Sequence, residues 1–399
     1  MLTPAEAERL IGEHLPCLPI ESLPLAQIAG AVLRENVYAE RDHPPFDRVT
    51  MDGIALASAA PRAGVRRLRV EGVQAAGDPP RALASRTGCI EVMTGAVLPT
   101  GCDAVVPSEE ITLAEGEAEL GAGPPPDPWQ NVHRRASDTR QGSLLLAAGN
   151  QLSAPEVAIA ASAGMARVRV SHQPTIAVIS TGNELIEPGE PILPHQVRRS
   201  NVYGVLAALH AHGFLRTGDE HLLDDAEALR ARLKFHLETH DVLILSGGVS
   251  AGRYDLVPET LAALGARAIF HRVAQRPGRP LWFGIAPSGT AVFALPGNPV
   301  STLVCLARYV IPALYASMGR TAPEPERMAL SAPVSVSAKL TVFLPVRVAI
   351  DDWGRAWAVP RPTNGSGDFT ALAGTHGFVE LPPGPNDHPK GFVTRLYRW

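Results

Sequence analysis

The sequence predicts a multidomain α/β plus β protein organised around a central doubly wound α/β domain. Three observations lead there. Residues 175–318 alternate aliphatic or β-branched runs with helical patterns, as parallel strands joined by crossover helices do. Short strand-like runs separated by turns dominate before this region (68–132) and after it (from 328), which predicts β domains on both sides. At 399 residues the chain exceeds a usual single domain, so two to four are expected.

A hydrophobic share of 45% is ample for packed cores. The net charge of −4 leaves no basic footprint, which argues against nucleic acid as the main partner. The four cysteines (Cys17, Cys89, Cys102, Cys305) are dispersed without a Cys-x-x-Cys pair, so neither a disulfide framework nor structural zinc is expected. The N-terminus lacks a signal-peptide core and no 18-residue apolar run is present. A cytoplasmic protein without a membrane span is expected.

Taken in order, Thr3-Pro4-Ala5-Glu6 reads as a capping box opening a helix to about His14. A second helix is predicted over 25–33, with Leu25, Ile28, Ala29 and Val32 on one face. Strands at 68–73, 89–93, 104–107 and 117–120 make a small β domain. An Ala-rich helix (154–164) and a strand (168–170) follow. In the α/β region, helices are predicted at 202–212, at 225–239 opened by Asp224 and Glu227, before Gly265, and after Pro299. Residues 319–326 read as a linker, and strand-like runs from 329 to 397 form a C-terminal β domain.

The buried run 242–245 ends on Ser246-Gly247-Gly248, with Asp255 at the next helix start. Two further strands end alike, on Thr181-Gly182-Asn183-Glu184 and on Pro296-Gly297-Asn298-Pro299. In open α/β sheets ligands bind outside the carboxyl ends of the strands, so these three turns should face one crevice. Glycine turns leave backbone N–H groups bare, which suits an anion. Arg276-Pro277-Gly278-Arg279 reads as a plain turn or as two arginines at the rim of that crevice.

Other candidates have plainer explanations. Asp224 is accounted for by the capping box, and His236 and His240 by the C-terminal end of a helix. Asp52 and Glu184 each adjoin a glycine turn, where acidic residues are common anyway. Gly248-Val249-Ser250-Ala251-Gly252 matches a nucleophile elbow after a strand. No His-Gly-Gly-type oxyanion segment precedes it, Asp255 lies too close in sequence to be the later triad acid, and His271 and His376 have no supporting context, so a serine hydrolase using Ser250 is the least favoured reading.

The ordered set of motifs resembles the molybdopterin molybdenumtransferase family, the MoeA proteins and the gephyrin E domain. It comprises Pro45-Phe46, Met51-Asp52-Gly53, Met93-Thr94-Gly95-Ala96, Arg134-Arg135 with Asp138, and Ser180 to Leu185. It continues with Ser246 to Ser250 and Asp255, Pro277-Gly278-Arg279-Pro280, Leu295 to Val300, and Gly365-Ser366. The resemblance implies an elongated helical N-terminal domain (1–45 with 139–171), an inserted β domain (46–138), an α/β molybdopterin-binding domain (172–320) and a C-terminal β-barrel (326–399). It implies a homodimer with a site shared between subunits. It further implies insertion of molybdenum from molybdate into adenylylated molybdopterin, with Mg²⁺ assisting and AMP released.

On the same resemblance, Asp52, Thr94, Asp138, Glu184 and Asp255 are catalytic, with Glu184 and Asp255 as the metal ligands. Thr181, Gly182, Ser246, Gly247, Gly248, Ser250, Arg276, Arg279, Pro296, Gly297, Asn298, Pro299 and Ser366 would hold the pterin substrate. The upstream molybdopterin adenylyltransferase and molybdoenzyme chaperones are the implied protein partners. A non-catalytic pterin-binding scaffold of the same fold is the runner-up. The chain departs from the family in having Arg276 and Arg279 where lysines are usual, in Arg48-Val49-Thr50, and in Ala136-Ser137 before Asp138.

Overall fold

The computed structural model describes residues 1–248, 256–336, 339–384 and 386–399. At its centre is a six-stranded sheet in the order Thr217–Leu222, Ile176–Thr181, Val242–Ser246, Ala291–Leu295, Trp282–Ile285, Arg267–His271. The first four strands are parallel, and Trp282–Ile285 runs antiparallel to both its neighbours. Every residue of Ile176–Thr181, Val242–Ser246 and Ala291–Leu295 is buried, as expected of strands covered on both faces. Ile176, Val178 and Ile244 face one core with the helices Asn201–Ala211 and Ile311–Ser317. Ala177, Ile179 and Leu245 face the other, with Ala226–Thr239 and Leu256–Ala263. The sheet is doubly wound. Chain order reverses beside Ile176–Thr181, so the crevice at its carboxyl end is a topological switch point.

The inserted sheet runs Ala104–Pro107, Gly53–Leu56, Gly88–Val92, Arg67–Gln74, Glu117–Leu120, Ile111–Ala114. Ile54 and Leu56 face one small core, Ala55 and Val105 another. In the C-terminal region Thr341–Ile350, Ala356–Pro360, Arg327–Leu330, Val393–Arg398 and Gly377–Leu381 pair in succession, and the last returns to the first, closing a five-stranded barrel. The short strand Gln275–Arg276 of the central region adds to that barrel alongside Thr341 and Val342.

Segments 20–38 and 144–171 share one core, containing Ile28, Leu33, Val37, Leu146, Ala160 and Val170. The capping box at Thr3 and Glu6 is present and opens Pro4–His14. That helix is not part of the shared core: its Ala7 and Ile11 pack into the α/β core with Phe270 and Leu314. The helix expected over 25–33 is only a 3₁₀ turn, Leu25–Gln27. Gly30 adopts φ +80°, and Val32 and Leu33 are bridged to Gln151 and Val170. Long-range pairing overrides a short amphipathic pattern there.

The final α/β helix is interrupted. Pro299–Cys305 and Ile311–Ser317 flank a π turn, Leu306–Val310. Pro312 lacks the N–H that would bond Arg308, and its ring would crowd that carbonyl, so the widened turn lies where a regular helix would clash. Pro299–Ser317 is the one helical stretch among the described residues long and apolar enough to cross a membrane, and 72% of its 18-residue apolar window is buried within the protein.

Candidate functional site

The three turns anticipated at the strand ends do converge. Ser180, Ser246 and Leu295 are in register across three adjacent parallel strands. Beyond them lies a cleft of about 1480 Å³, walled by the α/β turns on one side and by barrel residues including Phe343, Leu344 and Ser366 on the other.

Thr181 is 5% exposed, and its Oγ1 has no hydrogen-bond partner among the described residues. Gly247 and Gly248 crowd it: φ is +103° and +65°, and a Cβ would sit 2.8 Å from Thr181 O and 2.9 Å from its Oγ1 respectively. Left-handed backbone and close approach both demand glycine. Gly297 packs on Gly247, where an added Cβ would stand 3.5 Å from the Gly247 Cα. Asn201 ties these turns together, donating to Ser246 Oγ at 2.9 Å and Gly297 O at 2.7 Å. Asn298 donates to Ser366 Oγ at 2.8 Å and the Val300 N–H to Ser366 O, fastening the barrel to the helix that Pro299 begins.

The charge of the cleft is cationic. Arg198, Arg199, Arg276 and Arg279 line it, against Glu184 as the one carboxylate among the described lining residues. Arg199 is neutralised by Glu187 and by Asp219 at 2.7 Å, and holds Ser180 Oγ at 2.8 Å. The Arg199 guanidinium, and then the Tyr203 hydroxyl, hold the Glu187 carboxyl below its ordinary range. Arg198, Arg276 and Arg279 have no carboxylate partner among the described residues; Arg198 donates to the Glu187 and Glu190 carbonyls at 2.7 Å and Arg279 Nε lies 3.3 Å from Met1 Sδ, contacts that leave their charge uncompensated. Glu184 is exposed and likewise unpaired there. One free carboxylate amid arginines suits Mg²⁺, which takes one or two carboxylates together with substrate phosphate oxygens. Among the described residues no cluster of three or more metal-ligating side chains is present. Ser250 and Asp255 lie outside the described residues.

Asp52, Thr94 and Asp138 do not line this cleft within the chain. They lie in the inserted region instead, around a separate two-stranded pairing of Arg48–Val49 with Val132–His133. The Thr94 N–H and hydroxyl donate to Asp52 Oδ1 at 2.6 and 2.8 Å. These bonds, the backbone one foremost, hold the Asp52 carboxyl below its ordinary value. Arg48 donates to His133 Nδ1 at 3.0 Å, so His133 presents Nε2–H to Asp138 at 2.8 Å.

Sequence reasoning missed Asn201 and the Arg198-Arg199 pair, although adjacent arginines just before a helix were a visible signal. It also misassigned the cap at 225–239. Asp225 caps that helix, accepting from the Ala228 N–H at 2.8 Å, which leaves Asp224 to hydrogen-bond Asn183 in the first turn of the site.

Residues 2–164 match the MoeA N-terminal region (domain I and II), 177–316 a probable molybdopterin binding domain, and 327–393 the MoeA C-terminal region (domain IV). The molybdopterin molybdenumtransferase of Synechocystis sp. is 40% identical over 403 residues, with 100% of each chain covered. That of Synechococcus elongatus is 35% identical over 371 residues, covering 90% of each. The crystal structure of the molybdopterin biosynthesis MoeA protein from Pyrococcus horikoshii aligns with a TM-score of 0.80 at 29% identity, covering 100% of this chain and 99% of that one. Matched along its whole length in sequence and in fold, the chain belongs to the molybdopterin molybdenumtransferase (MoeA) family.

Proposed function

We propose that this protein is a cytoplasmic enzyme of molybdenum cofactor biosynthesis that inserts molybdenum from molybdate into adenylylated molybdopterin and releases AMP. The observation that carries the reading is the cleft at the switch point, where bare glycine turns and arginines without an ion-pair partner meet one carboxylate among the described residues, Glu184. The turns at Gly247, Gly248 and Gly297 would offer backbone N–H groups to the phosphates of the substrate. Arg276, Arg279 and Arg198 would neutralise its charge, and Thr181 Oγ1 would supply a hydrogen bond that nothing described in the free chain takes up. Pro296, Asn298 and Ser366 would shape the wall where barrel and helix meet.

Glu184, with Asp255, would hold Mg²⁺, which when bound lowers the charge on the phosphates and so favours departure of AMP. In the transfer, the two dithiolene thiols bind molybdenum and their two protons leave with one molybdate oxygen as water, while a water molecule attacks the phosphoanhydride, so that AMP departs and the pterin keeps its own phosphate. Asp52, Thr94 and Asp138 belong to this reading as groups of a second subunit, because they stand away from the cleft of their own chain. The site is thus read as shared within a homodimer. The upstream adenylyltransferase would deliver the pterin, and molybdoenzyme chaperones would receive the product. A scaffold that merely stored the pterin would have no use for an unpaired carboxylate beside phosphate.

Anaerobic incubation with adenylylated molybdopterin, followed by desalting and fluorescence of the oxidised pterin, tests occupancy. Retention close to one pterin per chain is expected, and no retention would overturn the reading.

A further inference from the structure

We infer that Gln275 is a positioning residue for the two cleft arginines, an inference that rests on the reading of the cleft given above. Gln275 immediately precedes the Arg276-Pro277-Gly278-Arg279 turn, and its side chain is 0% exposed beneath it. A buried carboxamide needs partners on both its oxygen and its nitrogen. Tyr309 Oη donates to Oε1, and Nε2 donates to Pro277 O at 3.2 Å. Nε2 also lies 3.6 Å from Cys305 Sγ, whose thiol in turn points at Gly278 O at 3.6 Å. Burial pushes the Cys305 thiol up to about 12, so it stays a neutral S–H that can serve as this weak donor. One donor chain therefore runs from Tyr309 through Gln275 to the underside of the arginine turn.

The turn is pressed onto this support. Gly278 has φ +92°, and a Cβ there would come within 2.6 Å of both Cys305 Sγ and Gln275 Nε2. From the other side Gln275 and Arg276 pair with Thr341 and Val342 of the barrel, and the Val273 N–H bonds Arg279 O at 2.9 Å. Tyr309 belongs to the π turn, and such turns frequently mark functional sites. An apolar side chain of similar length would fill the same space. What the carboxamide adds is direction, fixing the turn so that both arginines stay at the cleft.

The test is a double-mutant comparison on the full chain with adenylylated molybdopterin as ligand. Gln275→Met should raise Kd and KM about tenfold, with kcat for AMP release changed no more than about twofold, as expected when binding in the ground state is lost. In an Arg276→Ala/Arg279→Ala background the same change should have almost no further effect, because the groups it acts through are gone. Tyr309→Phe, which keeps the ring and removes the donor, should reproduce the loss and covers the case of a poorly folding Gln275→Met. An unchanged Kd, or an equal loss in both backgrounds, would overturn the inference. Wild-type protein that fails to bind the pterin would instead overturn the reading of the cleft, and this inference with it.

Discussion

Asn201 donates to Ser246 Oγ at 2.9 Å across the mouth of the cleft. Its other N–H reaches Gly297 O at 2.7 Å, so one carboxamide braces two of the three turns against each other. Asn201→Ala should weaken pterin binding by about 1–2 kcal/mol through loss of that brace. Asn201→Asp should cost more, since it sets a carboxylate against the Gly297 carbonyl and places negative charge beside the phosphates. Isothermal calorimetry on both variants checks the order, and equal effects would remove the brace from the account.

The arginine turn gives a second expectation. Arg279→Ala should weaken binding of the anionic pterin by about 1.5–3 kcal/mol, the worth of one charge-assisted hydrogen bond. Binding should also become less sensitive to salt. A dissociation constant indistinguishable from wild type in moderate salt would take the arginines out of the site.

Asp52 and Thr94 make a prediction about pH. With its folded value held below the ordinary 3.8, Asp52 favours the folded state at higher pH. That contribution is complete above 3.8 and fades as pH falls through the lowered folded value. Thr94→Val keeps the backbone bond and removes the hydroxyl bond, so the Asp52 carboxyl should titrate at higher pH than in wild type, though still below its ordinary value. Carboxyl-selective NMR titration reads this directly. A midpoint that does not move would show that the hydroxyl contributes nothing.

The placement of Asp52 and Asp138 away from the cleft predicts a complementation result. Asp52→Asn and Glu184→Gln homodimers should each be nearly inactive. Co-expressed, they should form mixed dimers that recover activity, since one of the two shared sites then carries both carboxylates. Light scattering should give twice the chain mass of 42.3 kDa. A monomeric mass, or mixed dimers as inactive as their parents, would contradict a shared site.

Much of this was legible in the sequence because it is local. The runs 176–179, 242–245 and 291–295 are apolar throughout, as strands buried on both faces must be, and glycine turns follow where backbone must bend. The rest depended on contacts between distant residues. Nothing near Gln275 in the chain announces that Tyr309 and Cys305 lie beneath it. Asp224 and Asp225 are equally good caps on paper, and only the approach of Asn183 decides which one turns into the site. The pattern at 25–33 fitted a helix until pairing with Gln151 and Val170 claimed its residues.

The most direct measurement is AMP release. Protein loaded anaerobically with adenylylated molybdopterin, in the presence of Mg²⁺, is given molybdate, and free AMP is followed by chromatography. Release should depend on molybdate and approach one AMP per bound pterin, with molybdenum appearing in the pterin fraction. Glu184→Gln and Asp255→Asn should keep the pterin bound and release little, since an amide is a poorer ligand for a hard cation. Wild-type protein that holds the pterin yet releases no AMP on addition of molybdate would contradict the central claim.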